Sequence, residues 1–327
     1  MIKYLLRRTV SWLLLIFVAT NVTYFLAWGF LDPRSNYVGR RPPLSYDQIS
    51  AMLEPHNLSD AVPLAERWWT WLTGIFLRWD WGVSAVGDSV NDQIAYRMWV
   101  SAELMLGATI IMTVLGIGLG VYTASRQYKL ADRIGQATSI ITMNIPIIVA
   151  ALAIVIIAID INQAVGTRIF YVTGSANPEI TGFFPALIDV LQHLILPTLA
   201  LVLTGYAATH FLQRSLLLDN INADYVRTAR AKGLTKQQAI RKHALRTSLI
   251  PVATQVAFSI PAIFTGAILT ESIFGWNGMG RYFITTIATN DVHGVVAVAA
   301  FGAVLTAIGA LLADIAVVIL DPRVRVS

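Results

Sequence analysis

Six stretches of this chain are each long and apolar enough to cross a bilayer: Thr9–Leu31, Trp99–Ala124, Ala137–Ile159, Leu194–Phe211, Leu249–Phe274 and Val295–Leu320. A helix needs roughly 20 apolar residues to traverse the hydrocarbon core. Backbone polar groups find no water there, so such spans close their hydrogen bonds internally as helices. Charged residues make up only 13% of the 327 positions, against about 25% in soluble domains. The expected fold class is therefore all-α, a single polytopic membrane domain over residues 1–327 with six transmembrane helices. The start, MIKYLLRR, has the basic character of a signal peptide. However, the apolar run behind it exceeds a typical signal h-region and lacks a small-x-small cleavage site, so it reads as an uncleaved first span.

Lysine and arginine placement sets the expected orientation, because cytoplasmic loops carry the excess. With the N-terminus inside, segments 1–8, 125–136, 212–248 and 321–327 hold 3, 3, 8 and 2 of these residues. The outer segments 32–98, 160–193 and 275–294 hold 6, 1 and 1. Six of those eight sit in one long loop, whose charge counts little for orientation. Both termini are thus expected in the cytoplasm, and the net charge of +5 follows from topology rather than from nucleic-acid binding.

The basic insert 212–248 carries the strongest local signal. Within it, DYVRTARAKGLTKQQAIRKHALRTSLIP reads as helix, glycine, helix. A first short helix is expected over Tyr225–Lys232. Gly233 stands where a left-handed, helix-ending residue belongs. Thr235 and Gln238 have the spacing of a capping box that opens a second helix. Basic loops often only bind anionic lipid and fix topology, but a simple tether needs no such order. A rigid helical knob suits a groove on a partner.

These residues resemble the cytoplasmic coupling loop of ABC-importer permeases, in the dipeptide/oligopeptide/nickel branch. The general pattern there is Glu-Ala-Ala, three residues, Gly, nine residues, Ile-x-Leu-Pro. Here Arg227-Thr228-Ala229 occupies the first place and Gly233 the glycine. His243 replaces the isoleucine, Leu245 matches, and the proline comes late at Pro251. Further matches cover nearly the whole chain. RWDWGVS with QIAYR resembles the family's Gly-Asp-Leu-Gly-x-Ser … Ile-x-x-Arg pattern, with Trp79 and Trp81 in place of Gly and Leu. His193-Leu194-Ile195-Leu196-Pro197, Gly266-Ala267, Glu271-Ser272-Ile273-Phe274 with the glycine-rich run to Gly280, Asp291, and Asp321-Pro322-Arg323-Val324-Arg325 follow in the family's order.

The resemblance implies a type I importer permease subunit in a bacterial inner or plasma membrane, working by alternating access. Its implied partners are a second, similar permease, two ATPase subunits or one fused ATPase, an extracytoplasmic substrate-binding protein and the lipid bilayer, with no nucleic acid. The implied cargo is peptide, with nickel or another small solute as the alternative. Tyr225, Arg227, Thr228, Ala229, Gly233, Leu234 and Ala239 are the expected coupling residues. In that role the small residues permit close docking, Tyr225 and Leu234 supply apolar contact, and Arg227 pairs with an acid on the ATPase.

Several chemistries lack their residues. Gly275, Gly278 and Gly280 are not followed by the Gly-Lys-Ser/Thr of a phosphate loop and read as a turn between spans. No other Walker motif occurs, so the chain is expected to be no enzyme and to bind no cofactor, with ATP and magnesium held by the partner ATPase. There is no cysteine, and the five histidines have no i, i+4 pairing, so no metal site is expected. A Gly-x-Ser-x-Gly hydrolase elbow is also lacking. Ionisable residues in spans default to function, and here they are Glu103, His210, Glu271 and Asp314, with Asp160 at an edge. Their scatter towards span ends disfavours a proton-coupled carrier; polar packing between helices or against a sister permease is favoured over direct contact with cargo in the pathway, Glu271 being the least decided of them. In the outer loop, Ser45 and Gln48 would cap a helix over Tyr46–Glu54. The tryptophans at 68, 69, 71, 79 and 81 read as an aromatic belt at the membrane surface, or alternatively as a docking surface for an external partner. Gly116, Gly118 and Gly120 would let helices approach closely, and Ala303 and Ala307 would do the same in the last span.

Overall fold

A computed structural model describes residues 2–259 and 268–320. Part of the fifth expected span, with Pro261, Gly266 and Ala267, lies outside the described residues, as does the motif at 321–325. The described residues form helices and turns, in the order α1 (Ile2–Phe30), α2 (Tyr46–Leu53), α3 (Leu64–Arg78), α4 (Val90–Ala124), α5 (Leu130–Met143), α6 (Ile147–Val165), α7 (Phe183–Ile221), α8 (Asp224–Ala231), α9 (Lys236–Ala239), α10 (Leu245–Phe258), α11 (Ile268–Phe274), α12 (Met279–Ala288) and α13 (Val292–Leu320). Among them, five helices contain stretches long and apolar enough to cross a membrane: Arg7–Phe30, Val90–Ala124, Ile147–Val165, Phe183–Ile221 and Val292–Ile315. Their outward faces are apolar, as at Leu13 and Leu14 of α1 and Ile156 and Ile157 of α6. A soluble protein would not expose such a surface, whereas hydrocarbon solvates it.

The third expected span, Ala137–Ile159, is not one helix. It is cut between Met143 and Ile147, and the apolar crossing shifts to α6, Ile147–Val165. Pro146 causes the cut: it has no N–H for the ladder and pushes the preceding residue out of the α region. It serves instead as the N-cap of α6. The fourth span is embedded in a much longer helix, α7, which runs through Pro197.

The chain divides into two compact units. The first comprises residues 1–101 and 277–307, together with a short piece around residue 268. The expected outer-loop helix is present as α2, with the Ser45–Gln48 capping box formed in both directions. Trp71 is the centre of this unit's core, stacked on Tyr24 of α1 at 4.5 Å between ring centroids. Around them lie Ala27, Leu53, Leu58, Ala85, Val292 and Val296, with Trp68 and Trp81 packed against the cluster. The Tyr37 hydroxyl donates to the Ala85 carbonyl inside it. The belt reading therefore fails for Trp68, Trp71 and Trp81, which bury aromatic area in a core, and only Trp69 and Trp79 stay largely exposed. The second unit holds residues 102–263, 269–276 and 308–327. Its hub is α7, which packs on α5, α6 and α10.

Candidate functional site

The helical pair at 224–244 is built from strong local signals. Asp224 sits in the first turn of α8 and Arg230 in the last, each where the helix dipole favours its charge. Gly233 has φ +96°. Its N–H donates to the Arg230 carbonyl at 3.0 Å, and the Leu234 N–H donates to the Ala229 carbonyl at 3.3 Å. These two bonds are the Schellman pair that ends a helix on a left-handed residue. Thr235 then accepts from the Gln238 N–H, and the Gln238 side chain returns to the Thr235 N–H. The chain leaves α9 through a π turn over Ile240–Ala244 and enters α10 directly.

This pair has two faces. Val226, Ala229, Ala239, Ile240 and Ala244 are buried together with Ala124 at the end of α4 and Leu217 of α7, and Leu234 packs against them. On the other face Tyr225, Arg227, Thr228, Arg230, Lys232 and Gly233 are exposed. Of the residues expected to dock, Ala229 and Ala239 are buried and Leu234 packs partly buried beside them, so these three also seat the pair on its own chain. The signal was present in the sequence, since Val226 and Ala229 share a helical face at i, i+3 spacing. Arg227 lies 3.7 Å from Asp224, with both side chains largely in solvent, an ion pair of little consequence in water. Its guanidinium stays available for another acid.

Above this pair, α7 is locked by buried polar groups. His210 is fully buried. One ring nitrogen lies 3.0 Å from the Thr123 hydroxyl of α4, and the other lies 2.7 Å from the Ser139 hydroxyl of α5. Gln213 donates to the Ser248 hydroxyl of α10 at 2.9 Å. Arg214 grips Asp132 with two bonds, Nε to Oδ1 at 2.8 Å and Nη2 to Oδ2 at 2.9 Å. The same carboxylate accepts the Tyr128 N–H and the Gln136 amide. The Arg214 bonds hold the Asp132 carboxyl below its ordinary range, against the opposing effect of burial. A Cβ at Gly116 or Gly120 would meet α7 backbone atoms at 2.9–3.0 Å, whereas Gly118 faces open space. Only two of the three glycines thus serve close approach.

Sequence reasoning missed Asp132, Arg214, Ser139, Thr123 and the Gln213–Ser248 pair. Of the four residues singled out in the spans, His210 is a packing residue between helices. Glu103 is exposed on α4, Glu271 is fully buried on α11 and Asp314 is half-buried on α13. The structure does not gather these four into one cluster, and among the described residues no group of three metal-binding side chains occurs. A cleft of about 180 Å³ opens between α4, α7 and α10, lined by Met105, Met112, Thr113, Gly205, Thr209 and Gln255 among others. Its described walls are mostly apolar, with hydroxyl, thioether and amide groups among them, and none of the described lining residues is ionisable.

The family of binding-protein-dependent transport system inner membrane components matches residues 116–326, nearly two thirds of the chain. The chain belongs to that family. This inner membrane component is similar over its whole length to curated proteins. It is 37% identical to the oligopeptide transport system permease protein OppB of Mycobacterium tuberculosis, covering 100% of both chains. It is 32% identical to the oligopeptide transport system permease protein AppB of Bacillus subtilis, over 99% of this chain and 100% of that one. It is 30% identical to the dipeptide transport system permease protein DppB of Lactococcus lactis, with the same coverage. This component is accordingly an all-α, multi-pass membrane protein of bacterial type and a transport subunit rather than an enzyme.

Proposed function

We propose that this chain is one permease subunit of an ATP-driven importer and forms half of a translocation pathway for peptides delivered by a substrate-binding protein. The observation that carries the reading is the two-faced helical pair at 224–244. One face is fixed to α4 and α7, and the other offers Tyr225, Arg227 and Thr228 to solvent. A second, similar permease completes the pathway. Two ATPase subunits, or one fused pair, bind ATP and magnesium and receive the exposed face of α8. Arg227 there meets a carboxylate on the ATPase.

Transport proceeds by alternating access. ATP-driven closure of the ATPases moves α8, and the cavity between the permeases opens outward. A shift of this kind needs differential affinity, so the ATP-closed ATPases fit the outward-open arrangement better than the inward-open one. The names of the relatives favour peptide over nickel. Lys and Arg placement puts 224–244 in the cytoplasm, where ATP is.

The test is ATP hydrolysis by the complex co-purified through a tag on this chain, assayed with its binding protein and either short peptides or Ni²⁺. Stimulation by peptides alone is the expected result. Stimulation by Ni²⁺ alone would overturn the cargo, and co-purification of no ATPase would overturn the importer reading.

A further inference from the structure

The proposed mechanism requires that a push on α8 reach the spans, and the structure indicates which contacts carry it. From Tyr206 to Ile221, α7 extends about 22 Å at 1.5 Å per residue, and only Asn222 and Ala223 separate it from α8. Along this length every turn is fastened to a neighbour. Thr142 of α5 donates to the Tyr206 hydroxyl at 3.3 Å. Thr209 and Gln213 lie against Gly116 and Gly120 of α4. His210 bridges α4 and α5, and Leu217 enters the apolar cluster beneath the helical pair.

Asp132 and Arg214 hold the last polar fastening before that cluster. Asp132 is 1% exposed, and its partner's side chain 16%. The bidentate geometry fixes orientation as well as distance. Because the Asp132 carboxylate also accepts the Tyr128 N–H at 2.9 Å, it gathers the α4–α5 connection, the first turn of α5 and α7 onto one group. Membrane insertion alone would not require this. The seven other Lys and Arg of segment 212–248 are all exposed, and of the eight Arg214 alone makes a hydrogen bond to a buried carboxylate.

We propose that the Asp132–Arg214 pair is a positioning device that joins the α4–α5 hairpin to α7 and α8, so that these helices move as one body when the ATPases close. This inference rests on the importer reading. Without the pair, α8 still docks and ATP is still hydrolysed, but the motion is taken up by slippage between α5 and α7 and fewer peptides cross per ATP.

Because the chain has no cysteine, a spin-label pair can be introduced at two exposed positions, Ile134→Cys on α5 and Asp219→Cys on α7. The α5–α7 distance is measured in the full complex, without nucleotide and with a non-hydrolysable ATP analogue, alongside peptide uptake per ATP hydrolysed in proteoliposomes. For the native pair a single narrow distance, the same in both states, is expected. Asp132→Asn is expected to broaden it and to lower uptake per ATP about threefold or more, with ATP hydrolysis within about twofold of the parent. Arg214→Lys keeps the charge but loses the fork and should fall between. The exchange Asp132→Arg with Arg214→Asp should restore part of the ratio. Should Asp132→Asn fail to assemble, Arg214→Lys and the neutral double variant Asp132→Asn/Arg214→Gln carry the test. A parent distance that changes with nucleotide, or variants with parental distances and uptake per ATP, would overturn the inference. The distance measurement does not depend on cargo, so failure of peptide stimulation in the parent would count against the importer reading separately.

Discussion

Replacing Gly233 separates backbone conformation from side-chain contact more cleanly than any other change in the helical pair. Nothing lies within 4 Å of the position a Cβ would take, so a new side chain meets no obstacle. The whole cost is the φ of +96°. A non-glycine residue in the left-handed region costs roughly 1–2 kcal/mol, which alters an order–disorder ratio by a factor of about 5–30. Asparagine tolerates that region better than other residues, and a β-branched residue tolerates it worst. The expected series for order in 224–244 is therefore Gly, Asn, Ala, Val. Hydrogen exchange reads it directly at the amides of Gly233 and Leu234, which donate to Arg230 and Ala229. Peptide uptake and substrate-stimulated ATP hydrolysis by the reconstituted complex should fall in the same order, with assembly partly retained even for valine. If Gly233→Val exchanged and transported like the parent, the turn would have no part in coupling. If Asn proved as damaging as Val, the cause would be side-chain contact with a partner rather than φ.

Other perturbations test the packing around α7 and the first unit. Gly120→Val places a methyl-bearing carbon against the His210 carbonyl and the Arg214 nitrogen and should cost about 1–3 kcal/mol as overpacking. Gly118→Ala, into open space, should be neutral or stabilising by up to about 1 kcal/mol through helix propensity, and thermal unfolding of the solubilised protein compares the two. His210→Ala removes two hydrogen bonds at about 1 kcal/mol each and leaves a cavity, so its loss should exceed that of Ser139→Ala in the same assay. Asp291 is buried, and burial pushes its carboxyl up to about 6, with Asp88 adding to the effect and the Gly294 N–H opposing it. A carboxyl raised in the folded state binds more protons folded than unfolded between about pH 4 and 6. Stability of the first unit therefore rises as pH falls through that window. Asp291→Asn keeps an acceptor for the Gly294 N–H and should abolish the dependence in amide exchange across 277–301.

The helical pair was legible in the sequence because its determinants are local: a glycine at the end of α8 and a Thr-x-x-Gln box. The outer-loop helix over Tyr46–Leu53 was legible for the same reason. The cut at Pro146 was less so, because hydropathy continues unbroken through Ile145–Ile148 and averages over a break of three residues. The tryptophans advertised themselves by composition, yet aromatic content does not distinguish a membrane belt from a core. That choice depends on Tyr24 and Val296, far away in sequence. The Asp132–Arg214 pair left no local trace. Its members lie 82 residues apart, Asp132 in the short loop 125–136 and Arg214 at the start of the basic insert, outside its helix–glycine–helix motif. His210 stood out as a histidine in a span, but its partners, Thr123 and Ser139, are the kind of hydroxyl residue that spans contain anyway.

The core around Trp71 also constrains how the protein is made. It draws on Tyr24 and Ala27 near the start of the chain, on residues 37–85, and on Val292 and Val296 in the last helix. Ala85 and Val292 are 207 residues apart. At about 5–20 residues per second, a ribosome needs roughly 10–40 s to cover that interval. Throughout it, Trp71, Leu53 and Leu58 lack Val292 and Val296, the last residues to join the cluster that buries them. The unit can be completed only when α13 has been inserted. A chain that stalls or misplaces its final helix thus leaves the aromatic cluster around Trp71 without Val292 and Val296, two of the residues that bury it.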